Sequence, residues 1–129
     1  MKSSYDANTI LLLDDEFDNV ALFRQALERK GFHVVGFTKT SLALEHFQKN
    51  PDQYGLVISD IKMPVMNGYQ FIKEVKKIKP QVKVFLISAS EINYIEVRTE
   101  LPSIHIDEFI EIPISLEDFI TKVSRHMNS

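Results

Sequence analysis

The 129 residues suffice for one substantial hydrophobic core. Lys and Arg number 15 against 18 for Asp and Glu, a net charge of -3 that leaves no basic footprint for nucleic acid. Cys is absent, which excludes disulfides, thiolate metal sites and thiol catalysis and fits a reducing cytoplasm. In chain order, residues 1–8 are polar and expected to fray. Ile10 to Leu13 is a strand-sized apolar run followed at once by Asp14 and Asp15, too short for a signal peptide or a membrane span. Val20, Phe23 and Leu27 then share a helical face, with Gly31 where a helix-ending glycine belongs. Val34 and Val35 predict a second strand, and Ala43 to Phe47 a second helix. Leu56 to Ile58 predicts a third strand ending toward Asp60. Phe71, Ile72, Val75 and Ile78 predict a third helix, stopped by Pro80, with the charges from Lys73 to Lys79 on its solvated face. Val82 to Ile87 reads as a fourth strand with Ser88 at its end, and Ile92 to Glu100 as a helix closed by Pro102. Ile106 to Ile112 gives a fifth strand before Pro113. In the last helix Leu116, Phe119, Ile120 and Val123 make one stripe, and Ser115 and Asp118 have capping-box spacing.

Strands alternating with helices, several of them continuously apolar, predict an α/β fold: a doubly wound, five-stranded parallel sheet flanked by five helices. No linker, repeat or low-complexity tract divides the chain, so residues 1–129 are expected to form a single domain. In such sheets ligands bind beyond the carboxyl ends of the strands. With strand order 2-1-3-4-5, one of the two common arrangements, the ends of the first, third, fourth and fifth strands are neighbours. Asp14, Asp15, Asp60 and Ser88 would then share one crevice.

Crowded carboxylates repel one another, so such a site requires a cation or a raised pKa. An all-oxygen donor set without Cys or clustered His suits Mg²⁺. A carboxylate beside that cation is also able to attack phosphorus, giving an acyl phosphate on aspartate. Singly, each residue has an ordinary explanation. Asp14 and Asp15 suit a helix cap, Asp60 a turn before Pro64 and Asn67-Gly68, and Ser88 alone means little. It is their register with successive strand ends that points to chemistry. His33, His46, His105 and His126 lack ligand spacing and are expected at the surface or as satisfied polar groups, and Met63 and Met66 as packing and loop residues.

The stretches LLLDDE, SDIKMPVMNG, FLISAS and FIEIPIS stand in an order and spacing that resembles the response-regulator receiver domains of two-component signalling, across nearly the whole chain. The resemblance implies a flavodoxin-like fold. It makes Asp60 the phosphoacceptor, Asp15 a direct Mg²⁺ ligand and Asp14 one acting largely through water, with the backbone carbonyl of Lys62 as a further ligand. Ser88 would hydrogen-bond the phosphoryl group, Ala89 would keep the space beside it open, and Phe109 would be the aromatic that swings inward when the site is filled. Met63, Pro64 and Gly68 match the turn that leads into the third helix. The implied partners are a histidine kinase or histidine phosphotransfer protein and a downstream protein bound by the face of the fourth helix, fifth strand and last helix, in the cytoplasm, with no nucleic acid or membrane.

Ile112 departs from the family pattern, which has Lys before the cis-proline turn, where its ammonium pairs with the phosphoryl group. An aliphatic side chain donates no hydrogen bond, and the missing contact is worth ~2 to 4 kcal/mol of transition-state stabilisation. Lys62 offers a long flexible side chain as a substitute. Two alternatives therefore stand beside a phosphorylated switch. One is a pseudo-receiver that binds proteins without phosphate as its signal. The other is an aspartate-nucleophile hydrolase of the haloacid-dehalogenase kind, which wants Asp-x-Asp where this chain has Asp14-Asp15-Glu16-Phe17.

Overall fold

The structure, a computed structural model, describes residues 8–127. Five strands and five α-helices alternate as expected: β1 (Thr9–Leu13), α1 (Phe17–Arg29), β2 (His33–Phe37), α2 (Thr40–Lys49), β3 (Tyr54–Asp60), α3 (Gly68–Ile78), β4 (Lys83–Ser88), α4 (Tyr94–Glu100), β5 (Glu108–Glu111) and α5 (Leu116–Met127). A 3-10 turn, Pro51–Gln53, leads into β3. The sheet has the order β2-β1-β3-β4-β5, and all four pairings are parallel. Of the segment expected to fray, residues 1–7 lie outside the described part.

Both faces of the sheet are covered, which is why the strands read as unbroken apolar runs. Alternate side chains go to opposite faces. Leu11, Leu13, Val57, Val84 and Leu86 pack with Ala43 and Phe47 of α2, Phe71, Ile72 and Val75 of α3, and Val97 of α4. Ile10, Leu12, Leu56, Ile58, Phe85, Ile87 and Ile110 pack with Val20, Phe23 and Leu27 of α1 and Phe119 and Val123 of α5. The rings of Phe23 and Phe119 lie 4.4 Å apart and join α1 to α5, a contact worth ~1 kcal/mol beyond the area it buries. Among the described residues no helix is long and apolar enough to cross a membrane.

Local chemistry explains the element ends. Gly31 has φ +94°, its N–H reaches the Glu28 carbonyl, and the Phe32 N–H reaches that of Leu27, the paired bonds of a Schellman ending. Ser115 Oγ accepts the Asp118 N–H at the start of α5. The full reciprocal box lies elsewhere, where Asn67 and Gln70 each accept the other's backbone N–H at the start of α3. β5 is shorter than its apolar run, because before it Asp107 takes the Val84 N–H with its carboxylate. The charges of α3 are not all solvated. Lys76 Nζ donates to the carbonyls of Pro80 and Val82, and Lys79 Nζ to those of Pro51 and Tyr54. Burial lowers the pKa of both ammonium groups, against the opposing pull of Asp107 and Asp52 respectively. Their aliphatic stems carry the ammonium groups along the helix end to these carbonyls.

Candidate functional site

The carboxyl ends of β1, β3, β4 and β5 meet at one edge of the sheet. Asp60 is the last residue of β3 and Ser88 the last of β4, while Asp14 and Asp15 follow β1 directly. In register, Leu13 lies beside Ser59, Asp60 beside Ile87, and Ser88 beside Glu111. Each of Asp14, Asp15 and Asp60 offers a carboxylate oxygen within 4.8 Å of the others.

The three carboxylates have different surroundings. Asp14 is buried and does not cap α1, whose N-cap is Glu16 without a side-chain bond. Its Oδ1 accepts the Glu16 N–H at 2.9 Å, and its Oδ2 accepts from the Asn19 amide at 3.1 Å. Burial raises its pKa, those two donors oppose the rise, and the charges of Asp15 and Glu16 add to it. Asp15 is exposed. Asp60 is half-buried, and its pKa is pushed up to about 7. Burial contributes most, then the charge of Asp14 and a direct carboxyl contact with charged Asp15, while the Lys62 backbone N–H pulls the other way. Among the described residues no Lys or Arg pairs with any of the three. An uncompensated oxygen cluster of this kind fits a hard divalent cation, and without one ionisation of Asp60 is disfavoured.

The loop from β3 to α3 is tightly built. The Gly68 N–H reaches the Ile61 carbonyl at 2.8 Å, and a Cβ on Gly68 would collide with the carbonyl oxygen of Asp60. Thr40, at the start of α2, donates to the Met66 carbonyl at 3.1 Å and touches Met63 Sδ. Val65 is fully exposed with φ +69°, a conformation costing a β-branched residue about 1 to 2 kcal/mol. Lys62 is exposed beside it.

Ser88 is buried at 3% exposure, and its Oγ accepts the Ser90 N–H at 3.1 Å and lies 3.3 Å from Ser90 Oγ. Ala89, between them, is exposed. Phe109 is partly buried against the α2–α4 side of the core, its ring edge-on to Tyr94 at 4.9 Å. Ile112 donates its N–H to the Ser88 carbonyl at 2.8 Å, and its side chain packs against the α1–α5 side. The Ile112-Pro113 peptide is cis. The histidines lie away from the acidic cluster: His46 bonds Tyr54 Oη, His105 approaches Asp107, His126 bonds Glu108, and His33 is exposed. Sequence reasoning missed Asn19 and Glu111, whose carboxylate accepts the Ile92 N–H at 3.0 Å. The only signal for Asn19 was a polar residue in the first turn of α1, five positions after Asp14.

Known proteins resemble this chain over most of its length. The chain is 27% identical over 116 residues to the response regulator receiver protein CpdR of Brucella abortus, covering 90% of this chain and 93% of that one. It is 31% identical over 123 residues to the DNA-binding transcriptional regulator NtrC of Azospirillum brasilense, spanning 95% of this chain but only 25% of that protein. A receiver domain protein from Methanospirillum hungatei JF-1 shares the fold with a TM-score of 0.84 at 21% identity, over 95% of this chain and 94% of that one. The sequence profile of the response regulator receiver domain matches residues 10–124, and the chain therefore belongs to that family.

Proposed function

We propose that residues 1–129 form a single receiver domain that takes a phosphoryl group on Asp60 from a histidine kinase or histidine phosphotransfer protein. The observation that carries the reading is the convergence of Asp14, Asp15 and Asp60 without a compensating Lys or Arg among the described residues. In the step itself, an Asp60 oxygen bonds to phosphorus as the phosphorus–nitrogen bond of the donor histidine breaks, and the imidazole keeps the electron pair and takes up a proton. Mg²⁺, when bound, would supply the positive charge that favours ionised Asp60 and offsets charge on the phosphoryl oxygens. Asp15 and Asp60, with the Lys62 backbone carbonyl, would hold it directly. Asp14, fixed by Asn19 and the Glu16 N–H, would act through water. The Ser88 hydroxyl would donate to a phosphoryl oxygen, Ala89 would leave room for it, and Phe109 would turn inward and alter the face of α4, β5 and α5 read by a downstream protein. The protein acts once per phosphorylation as a cytoplasmic switch and is not a turnover enzyme.

Ile112 favours a second reading, a pseudo-receiver that binds its partner without phosphate, because its side chain joins the apolar packing and offers the site no cation. Intact mass after incubation with Mg²⁺ and acetyl phosphate separates the two. A gain of one phosphoryl group in the wild type, absent in Asp60→Asn, is expected, and an unmodified wild type would overturn the phosphorylation reading.

A further inference from the structure

We propose that Glu111 is a positioning residue, a latch on the loop between β4 and α4 that holds Ser88 back from a phosphoryl group on Asp60. The proposal rests on the reading of Asp60 as phosphoacceptor and adds a restraint to it. Ser88 and Glu111 face each other across the β4–β5 pair. From that position the Glu111 carboxylate crosses to the α4 side and accepts the Ile92 N–H at 3.0 Å. The Ser88 carbonyl, for its part, accepts the Ile112 N–H at 2.8 Å. The loop is thus tied to β5 at both ends, by backbone at Ser88 and by a charged acceptor at Ile92. Ile92 is also buried in the core, so its N–H has a fixed place to meet that acceptor.

Between the two ties, the Ser88 hydroxyl is engaged by Ser90, whose N–H it accepts and whose Oγ it faces. To serve a phosphoryl group on Asp60, Ser88 has to re-aim its hydroxyl, and the Ser90 turn has to follow. A shift of that turn strains the Ile92 contact, which ties the backbone to a carboxylate oxygen at 3.0 Å. Phe109 lies two residues before Glu111 on the same side of β5, against Tyr94 at the start of α4. Releasing the latch therefore frees the loop beside the aromatic that responds to it, and shifts the population toward the filled-site arrangement.

The test compares wild type, Glu111→Ala and Glu111→Gln, the last keeping a neutral acceptor of similar reach. In the unphosphorylated protein, the Ile92 amide is expected to exchange with solvent roughly tenfold faster in Glu111→Ala and by an intermediate factor in Glu111→Gln. Phosphorylation by acetyl phosphate at fixed Mg²⁺ is expected to be roughly threefold to tenfold faster in Glu111→Ala. Amide shifts at Ser88 and Ala89 should move in Glu111→Ala and return toward wild type in Glu111→Gln, a graded pattern that lost packing would not produce. Unchanged Ile92 exchange, or a rate equal to or below wild type in a folded variant, overturns the latch. If neither wild type nor variant is phosphorylated, the reading of Asp60 falls instead, and Ile92 exchange alone then decides whether Glu111 holds the loop.

Discussion

Replacing Asp60 by Asn removes a charge that the folded protein accommodates badly, so the variant is expected to be more stable than wild type when Mg²⁺ is withheld. The folded pKa of about 7 lies above the ordinary value of 3.8. Between those values the folded state binds more protons than the unfolded chain, so its stability falls as pH rises from about 4 to about 7 and is flat in this respect above that. At 1.36 kcal/mol per unit the full displacement corresponds to about 4 kcal/mol. Asp60 retains some contact with water, and solvent screening discounts the full displacement, which leaves about 2 to 3 kcal/mol for the single substitution. Asn keeps an acceptor for the Lys62 N–H and offers its own N–H groups to the neighbouring carboxylates. The chain has no Trp, so urea unfolding is followed by circular dichroism in EDTA at pH 4 and pH 8. The variant should exceed wild type at pH 8 and match it at pH 4. Saturating Mg²⁺ should close the gap, because binding to the intact cluster stabilises wild type. Equal stabilities at pH 8, or a less stable variant, would refute the claim that these carboxylates repel in the empty site.

Ile112→Lys should speed phosphorylation of Asp60 by acetyl phosphate roughly tenfold to a thousandfold, from the ~2 to 4 kcal/mol of a charge-assisted contact less imperfect placement. Quenched mass spectrometry measures it, and an unchanged rate in a folded variant would mean that the missing cation is not what limits the reaction. Gly68→Ala should cost about 3 kcal/mol or more in urea unfolding, since its Cβ would meet the Asp60 carbonyl oxygen and lie 2.9 Å from Ile61 Cα. A cost under about 1 kcal/mol would show that this turn yields easily.

The sheet, the clustering of Asp14, Asp15 and Asp60 and the place of Ser88 at the neighbouring strand end are legible because buried parallel strands leave continuous apolar runs and their ends mark the ligand edge. Ile10 to Leu13 shows this best, all four residues being fully buried. The fifth run misled at its start. Ile106 is buried like a strand residue but precedes the ladder, and burial alone does not distinguish the two. Periodicity puts Lys76 and Lys79 on the solvated face because it reports which face a residue occupies, not how far its stem reaches. Contacts between distant segments, such as Glu111 with Ile92, leave no periodic trace at all. The raised pKa of Asp60 depends on the burial and on the carboxyl separation that only the assembled sheet provides.

The flanks of β5 are held very unequally. On one side Glu108 gathers Lys122, Arg125 and His126, Lys83 binds the His126 carbonyl, and Phe119 and Val123 sit fully buried. On the other, α4 has seven residues and buries only Val97 within its span. A helix that short does not persist through its own hydrogen bonds. What keeps it folded is contact with its neighbours, with Tyr69 donating to Glu96 inside the helix and Ile92, just before it, tied to Glu111. This asymmetry favours local melting of α4 over that of α5, with α5 and the sheet left standing. A molecule so divided can respond to a small change at its strand ends by reshaping one helix, without loosening the core that positions the carboxylates.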